Sequence, residues 1–307
     1  MRDVSVLIPA RNEIFLGKTV ENILENIEAD TEVIAILDGY LPDPPIPAHP
    51  RLRWVYHKEP IGQRAAVNEA ARLSDAKFIM KLDAHSAVDK GFDVKLMADC
   101  DKDWTVIPRM YNLHAFDWEC SRCGKRHYQC GPTVHQCPEC KVENKITVVW
   151  EPRLHRRTDF ARFDNTLHFQ YWRKYEKRPE VKAEGDIADV MSSVGACFFM
   201  HRDRFMELEG LDEGHGFWGQ FGTEISCKSW LSGGRQVVNK KTWFSHFFRV
   251  GGLKFPYMLS GEAQEKAREY SRWLWFGNNW KKAKFPLKWL VDKFSPVPGW
   301  EDYKWGN

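Results

Sequence analysis

The sequence predicts a doubly wound α/β fold built on a mostly parallel sheet. Three observations carry that expectation. Short apolar-rich runs at 4–9, 32–37 and 77–82 read as strands buried on both faces. Between them, 16–28 and 62–73 space their apolar residues as helices do. Two of the strand runs end on an acid, Asp38 and Asp83, at the carboxyl edge where sheets of this kind bind ligands.

Val4-Ser-Val-Leu-Ile-Pro9 forms the first strand, and Leu16, Val20, Ile23, Leu24 and Ile27 line one face of the first helix. The second strand, 32–37, runs into Asp38-Gly39. Leu41-Pro-Asp-Pro-Pro-Ile-Pro47 is a loop, because proline cannot donate to a ladder. A short strand over 52–56 precedes the second helix, which turns Ala65, Ala66, Ala70 and Leu73 inward. Residues 117–145 break the pattern and read as an insertion. Strand character returns at 194–200, helices at 203–209 and 224–231, and strands at 236–238 and 242–248. From about residue 262 the tail is helical, then basic and Trp-rich. The expected division is 1–116 and 146–261 as two halves of one α/β domain, 117–145 as the insertion, and 262–307 as a helical extension.

A chain of 307 residues with 43% apolar and 28% charged residues supports a sizeable core, which excludes a disordered or coiled-coil protein. No apolar run is long enough to cross a membrane as a helix. Met1-Arg-Asp-Val4 enters a strand directly, without the pattern of a secretory leader, so the cytoplasm is the expected compartment. The net charge of +3 by itself points to neither nucleic acid nor membrane.

Asp83-Ala-His85 sets a carboxylate and an imidazole close together after a strand. Mn²⁺ accepts both donor types, Mg²⁺ prefers the oxygen, and either ion would bridge and neutralise a nucleoside diphosphate leaving group. Alone, the pair reads as polar residues in a loop.

The surrounding motifs resemble those of the GT-A glycosyltransferases of the family 2 type, with a pattern similar to the polypeptide N-acetylgalactosaminyltransferases. The matching stretches are Val4–Glu13, Ile36-Leu-Asp38, Gly62-Gln-Arg-Ala-Ala66, Phe78–His85, Val194-Gly-Ala-Cys-Phe198, Arg202-Asp-Arg-Phe205, Leu211-Asp-Glu-Gly214, Phe217-Trp-Gly219, Gly233-Gly-Arg235 and His246-Phe-Phe-Arg249. The resemblance implies a GT-A fold and metal-dependent transfer from a UDP-sugar. It implies Asp83, His85 and His246 as ligands of Mn²⁺. It also implies Asp38 and Arg64 at the nucleotide, Arg249 at the diphosphate, and Tyr257 in a donor-covering loop. Trp218 would line the donor or acceptor pocket, and Glu224 would organise the site or meet sugar hydroxyls. One departure stands out: Phe221 and Gly222 occupy positions where the family carries Glu and Asn. N-acetylgalactosamine as donor sugar is therefore not implied. Thr223-Glu224 is a poor version of the acidic pair that supplies a base in inverting enzymes, so the resemblance implies retention of anomeric configuration.

Cys120-Ser-Arg-Cys123 and Cys137-Pro-Glu-Cys140 have the spacing of a tetrahedral Cys₄ zinc ribbon, with His127, Cys130 or His135 as substitute ligands. Cys100, Cys197 and Cys227 read as buried thiols. Residues 151–178 carry eight Lys/Arg against four Asp/Glu, interleaved with aromatics, and 271–294 carry six Lys/Arg, one Asp and seven Trp/Phe. Such stretches suit nucleic acid, an anionic membrane surface, or a solvated face over core aromatics. With the zinc ribbon, they make a hydroxymethylated base in DNA, as in phage-type DNA modification, the preferred acceptor. A cell-envelope glycan or lipid-linked acceptor is the enzymatic alternative, and a non-catalytic nucleic-acid binder is the alternative of another class.

Overall fold

Parallel strands need crossovers, and the helical segments supply them. In the computed structural model, which describes residues 1–128, 136–142, 144–249 and 260–305, the chain opens β1 (Val4–Ala10), α1 (Leu16–Asn26), β2 (Thr31–Asp38), β3 (Leu52–His57), α2 (Gln63–Leu73) and β4 (Phe78–Leu82). It continues with β5 (Ser86–Val88), α3 (Phe92–Ala98), β6 (Trp104–Cys120), β7 (Arg126–Tyr128), β8 (Asn144–Thr158), β9 (Ala161–Phe163) and β10 (Phe169–Tyr171). Then follow α4 (Pro179–Ala183), β11 (Ile187–Asp189), β12 (Cys197–His201), α5 (Arg202–Glu207), α6 (Phe221–Leu231), β13 (Arg235–His246), α7 (Gly261–Phe276) and α8 (Leu287–Lys293).

The main sheet runs β11-β13-β6-β12-β4-β1-β2-β3. β1 is parallel to both β2 and β4, and β13 is parallel to β6. β12 lies antiparallel between β4 and β6. This arrangement brings the carboxyl ends of β1, β2, β4 and β13 to one edge, together with the loop that leads into β12. Alternation in β1 feeds two cores. Val4, Val6 and Ile8 pack with α1 and α3, while Leu7 joins α2, α6 and the C-terminal helices on the other face.

The region 117–145 is the far end of a long hairpin. β6 and β8 pair antiparallel from Met110–Thr158 out to Cys120–Asn144. The insertion therefore grows out of a core strand, and the hairpin's pairing extends beyond 117–145 on both sides, to Met110 and Thr158. The two strands expected at 236–238 and 242–248 are one strand, β13, whose register against β6 shifts between Asn239 and Trp243. The C-terminal extension belongs to the main core: Trp275, Trp280, Leu290 and Trp300 are buried in the cluster that includes α6. Among the described residues, no helix is long and apolar enough to cross a membrane.

Of the readings open for the two basic, aromatic stretches, the solvated face over core aromatics fits most of the rings. Phe160, Phe163, Trp172, Tyr175, Trp275, Trp280 and Phe294 are buried, and Trp273 and Tyr171 are the exceptions that face solvent. Composition counts aromatics but not their burial, so stacking surfaces for bases lose most of their support. Cys100, Cys197 and Cys227 are buried.

Candidate active site

Three segments meet at the carboxyl edge. β4 ends in Asp83, the turn after it presents His85, β13 ends in His246, and the turn after β1 supplies Glu13. β5 fixes the turn by pairing Ser86 with His246. One donor atom from each of Asp83, His85 and His246 lies within 4.8 Å of the others. Nε2 of His246 faces Asp83 Oδ2 at 3.2 Å and His85 Nε2 at 3.1 Å.

The electrostatics fit a divalent cation. The Glu13 carboxylate bonds His85 Nδ1 at 2.9 Å, which turns the His85 Nε2 lone pair toward the cluster. Burial pushes His246 down to about 4, so its imidazole is neutral at pH 7. The two imidazole Nε2 atoms, 3.1 Å apart, can share at most one hydrogen bond. A cation between them and Asp83 satisfies all three donors. Burial alone would raise the Asp83 carboxyl, but Lys81 and His246 hold it far below the usual carboxylate range.

Lys81 and Glu13 complete this site, and neither was assigned a role from sequence. Lys81 is 1% exposed, with Nζ on Asp83 Oδ1 and on the carbonyls of Gly195 at 2.8 Å and Ala196 at 3.3 Å. A lysine inside an otherwise apolar strand run was the available signal. Glu13 also accepts from Arg249, which brings Arg249 to the rim of the cluster.

A second charged group lies behind the site. Arg64, expected at the nucleotide, is turned inward and is 1% exposed. Its guanidinium donates to Glu224 at 2.8 Å and to the carbonyls of Gly216 at 3.0 Å and Gly219 at 2.6 Å. Glu224 is 0% exposed, accepts from Asp212 N, and is flanked by Lys228 at 3.3 Å. Burial would raise its carboxyl, yet Arg64 and Lys228 hold it down to about 2. Glu224 is therefore tied from within the core to the 211–219 loop. Tyr270 and Ser271 of α7 brace that loop through Asp212 at 3.0 Å and His215 at 2.9 Å.

Phe221, where the family pattern has Glu, packs its ring under the Arg64 guanidinium at 4.0 Å and faces Lys81 Nζ at 5.5 Å. Gly222 packs so closely on Ser193 that an added Cβ would lie 1.7 Å from its carbonyl oxygen, leaving no room for Asn. Trp218 is half-buried beside the exposed Phe217, which covers Gly62. Asp38 staples the start of α2, accepting from Ile61 N at 2.6 Å and Gly62 N at 3.2 Å. Tyr257 lies outside the described residues.

At the hairpin end, Cys120, Cys123, Cys137 and Cys140 place their sulfurs within 4.8 Å of one another. The Cys120–Cys140 and Cys123–Cys137 pairs stand at 3.2 and 3.7 Å. A tetrahedral ZnS₄ centre has S···S separations of about 3.8 Å, given Zn–S of about 2.3 Å. Each knuckle closes on a residue of positive φ, Gly124 and Lys141, whose N–H reaches back to Cys120 O and Cys137 O at 2.9 Å. A hydrogen bond from the Cys123 N–H pulls the Cys120 thiol down to about 6, and the Cys140 N–H lowers Cys137. Cys130 and His135 lie outside the described residues, as does the side chain of His127.

The family model described as Glycosyl transferase family 2 matches residues 5–176. The chain belongs to glycosyl transferase family 2. The family 2 chain has the GT-A fold. It is similar to the crystal structure of GalNAc-T7 with UDP, GalNAc and Mn²⁺, at a TM-score of 0.61 and 17% identity, over 91% of this chain and 50% of that one. A probable N-acetylgalactosaminyltransferase 8 of Caenorhabditis elegans is 39% identical over 191 residues, 61% of this chain and 37% of its own length. A polypeptide N-acetylgalactosaminyltransferase 8 of Drosophila melanogaster is 35% identical over 81 residues, 25% of this chain and 14% of its own. The family 2 chain thus spans half or less of each of these relatives.

Proposed function

We propose that this chain transfers a sugar from a UDP-sugar to a hydroxyl acceptor in a metal-dependent reaction. The observation that carries this reading is the convergence of Asp83, His85 and His246 at the carboxyl edge, with Arg249 beside them. The cation, Mn²⁺ or Mg²⁺, would be held by those three side chains and would neutralise the departing diphosphate. Arg249 would bind the diphosphate from the Glu13 side, and Asp38 would lie at the nucleotide end. Trp218 and Phe217 would form the mouth over the donor sugar and exclude water.

Retention of configuration is part of the proposal. Glu224, the nearest match to an inverting enzyme's base, is sealed behind Arg64 and Lys228 and cannot reach an acceptor hydroxyl. Proton NMR of the first-formed product is expected to show the donor's anomeric configuration, and an inverted anomer would contradict the assignment.

For the acceptor we propose a phosphate-bearing molecule, in the first instance DNA with hydroxymethylated bases. Asn112 pairs with His246 on one side and Arg153 on the other, so Arg153 lies two strands, about 10 Å, from the metal-ligand strand. The register shift that follows leaves Leu154, His155 and Arg156 as an exposed bulge, continued by exposed Arg157. Transfer to hydroxymethylated DNA but not to unmodified DNA is the expected result. The double variant Arg153→Ala/Arg156→Ala should raise KM for DNA roughly tenfold and lower the salt slope by about 2. Transfer only to a lipid-linked or cell-envelope glycan acceptor would overturn the DNA assignment. The Cys₄ centre would hold one structural zinc.

A further inference from the structure

Among the described residues, the carboxylates at the ligand set are already paired with cations. Two carboxylates touch it among the described residues, and each has a cationic partner of its own. Asp83 shares its Oδ1 with Lys81, and Glu13 shares its Oε2 with Arg249. The two imidazoles enter as neutral ligands. Lys81 cannot withdraw: it is 1% exposed and is also tied to the carbonyls of Gly195 and Ala196. Gln63 holds the same Asp83 oxygen at 3.1 Å, which leaves Oδ2 as the oxygen that faces His246.

An arriving divalent cation therefore meets one available carboxylate oxygen and a buried ammonium on the other oxygen of the same group. Its charge of +2 has no counterpart in the ligand set. A diphosphate arriving alone meets an arginine whose charge already engages Glu13. Together they fit: the diphosphate oxygens fill open coordination positions and supply the missing negative charge, and the cation balances that charge. Where the family pattern places a carboxylate, Phe221 presents a ring to Lys81 and adds no negative charge.

We propose that Lys81 acts as a built-in counter-cation, which makes divalent-cation binding conditional on a nucleoside diphosphate, so that the two bind as a unit. This inference rests on the metal–nucleotide reading of the site and adds a role for Lys81. By linkage the coupling is reciprocal: the factor by which UDP tightens Mn²⁺ equals the factor by which Mn²⁺ tightens UDP.

The test is Mn²⁺ binding to the full chain, read by electron paramagnetic resonance and titration calorimetry, with and without UDP. UDP–Mn²⁺ association in buffer is measured separately and subtracted. For the wild type, UDP is expected to tighten Mn²⁺ by roughly tenfold or more. Lys81→Gln keeps a hydrogen-bond donor at Asp83 and removes the charge. Lys81→Met removes both. Each should tighten Mn²⁺ without UDP by roughly tenfold and shrink the coupling toward one. The wild-type coupling is read without any variant, so a variant that fails to fold leaves the proposal exposed. Equal Mn²⁺ affinity with and without UDP would overturn the role of Lys81 and leave the site assignment standing. Folded Lys81 variants with wild-type coupling would also overturn it. No Mn²⁺ binding to the wild type even with UDP would overturn the site assignment itself, and this inference with it.

Discussion

Glu224→Gln is expected to cost roughly 3–5 kcal/mol of stability, the usual effect of leaving a buried charge without its partner. Arg64 and Lys228 are each 1% exposed and would face a neutral amide in place of a carboxylate. The loss should reach the 211–219 loop, because Glu224 also accepts from the Asp212 N–H and Arg64 holds the Gly216 and Gly219 carbonyls. The pH dependence follows from the same geometry. The Glu224 carboxyl falls from 4.5 to about 2 on folding. A depressed carboxyl contributes stability that is fully present above its unfolded value and is lost as pH falls through the folded one. Denaturant melts of wild type and variant should therefore differ most above pH 5 and converge toward pH 2. A constant difference across that range would show that the ion pair does not carry the effect.

Removal of zinc should have the other large effect, confined to the hairpin. The four sulfurs lie between two short knuckles, and structural zinc in such sites is worth about 10 kcal/mol or more. Native purification is expected to give one zinc per chain. A strong chelator should release amide protection around Cys120–Arg126 and Cys137–Val142 while β1, β2 and β4 stay protected. Hydrogen exchange reads both regions in one experiment. Full protection of the knuckles after metal removal would contradict the zinc assignment, and so would loss of protection across the whole sheet.

Much of the sheet was readable from local pattern. β1, β2, β4, α1 and α2 fall within a residue or two of the apolar runs and helical spacings, because burial writes the strand and helix pattern into each segment's own residues. The long hairpin was not readable, since β6 and β8 are separated by the knuckles and their pairing is set by the strand they extend. β13 looked like two strands because its irregularity between Asn239 and Trp243 breaks the apolar pattern without ending the pairing. At the site, Asp83, His85 and His246 were marked by residue type and motif, and the fold brings them together. The inward turn of Arg64 was not readable, because a helical arginine near a binding edge can turn either way. Its direction is decided by Glu224, 160 residues later. The aromatic stretches left three readings open for a related reason: a basic segment rich in Trp and Phe has the same composition whether its rings face solvent or core.

The central claim is that Asp83, His85 and His246 hold a cation for UDP-sugar turnover. It is tested most directly by UDP release from a panel of UDP-sugars, with Mn²⁺ and with EDTA, on wild type and Asp83→Ala. The account predicts release with at least one UDP-sugar that requires Mn²⁺ and falls by roughly a thousandfold in the variant, an effect of about 4 kcal/mol on the barrier. Release that persists in EDTA or in folded Asp83→Ala would contradict it.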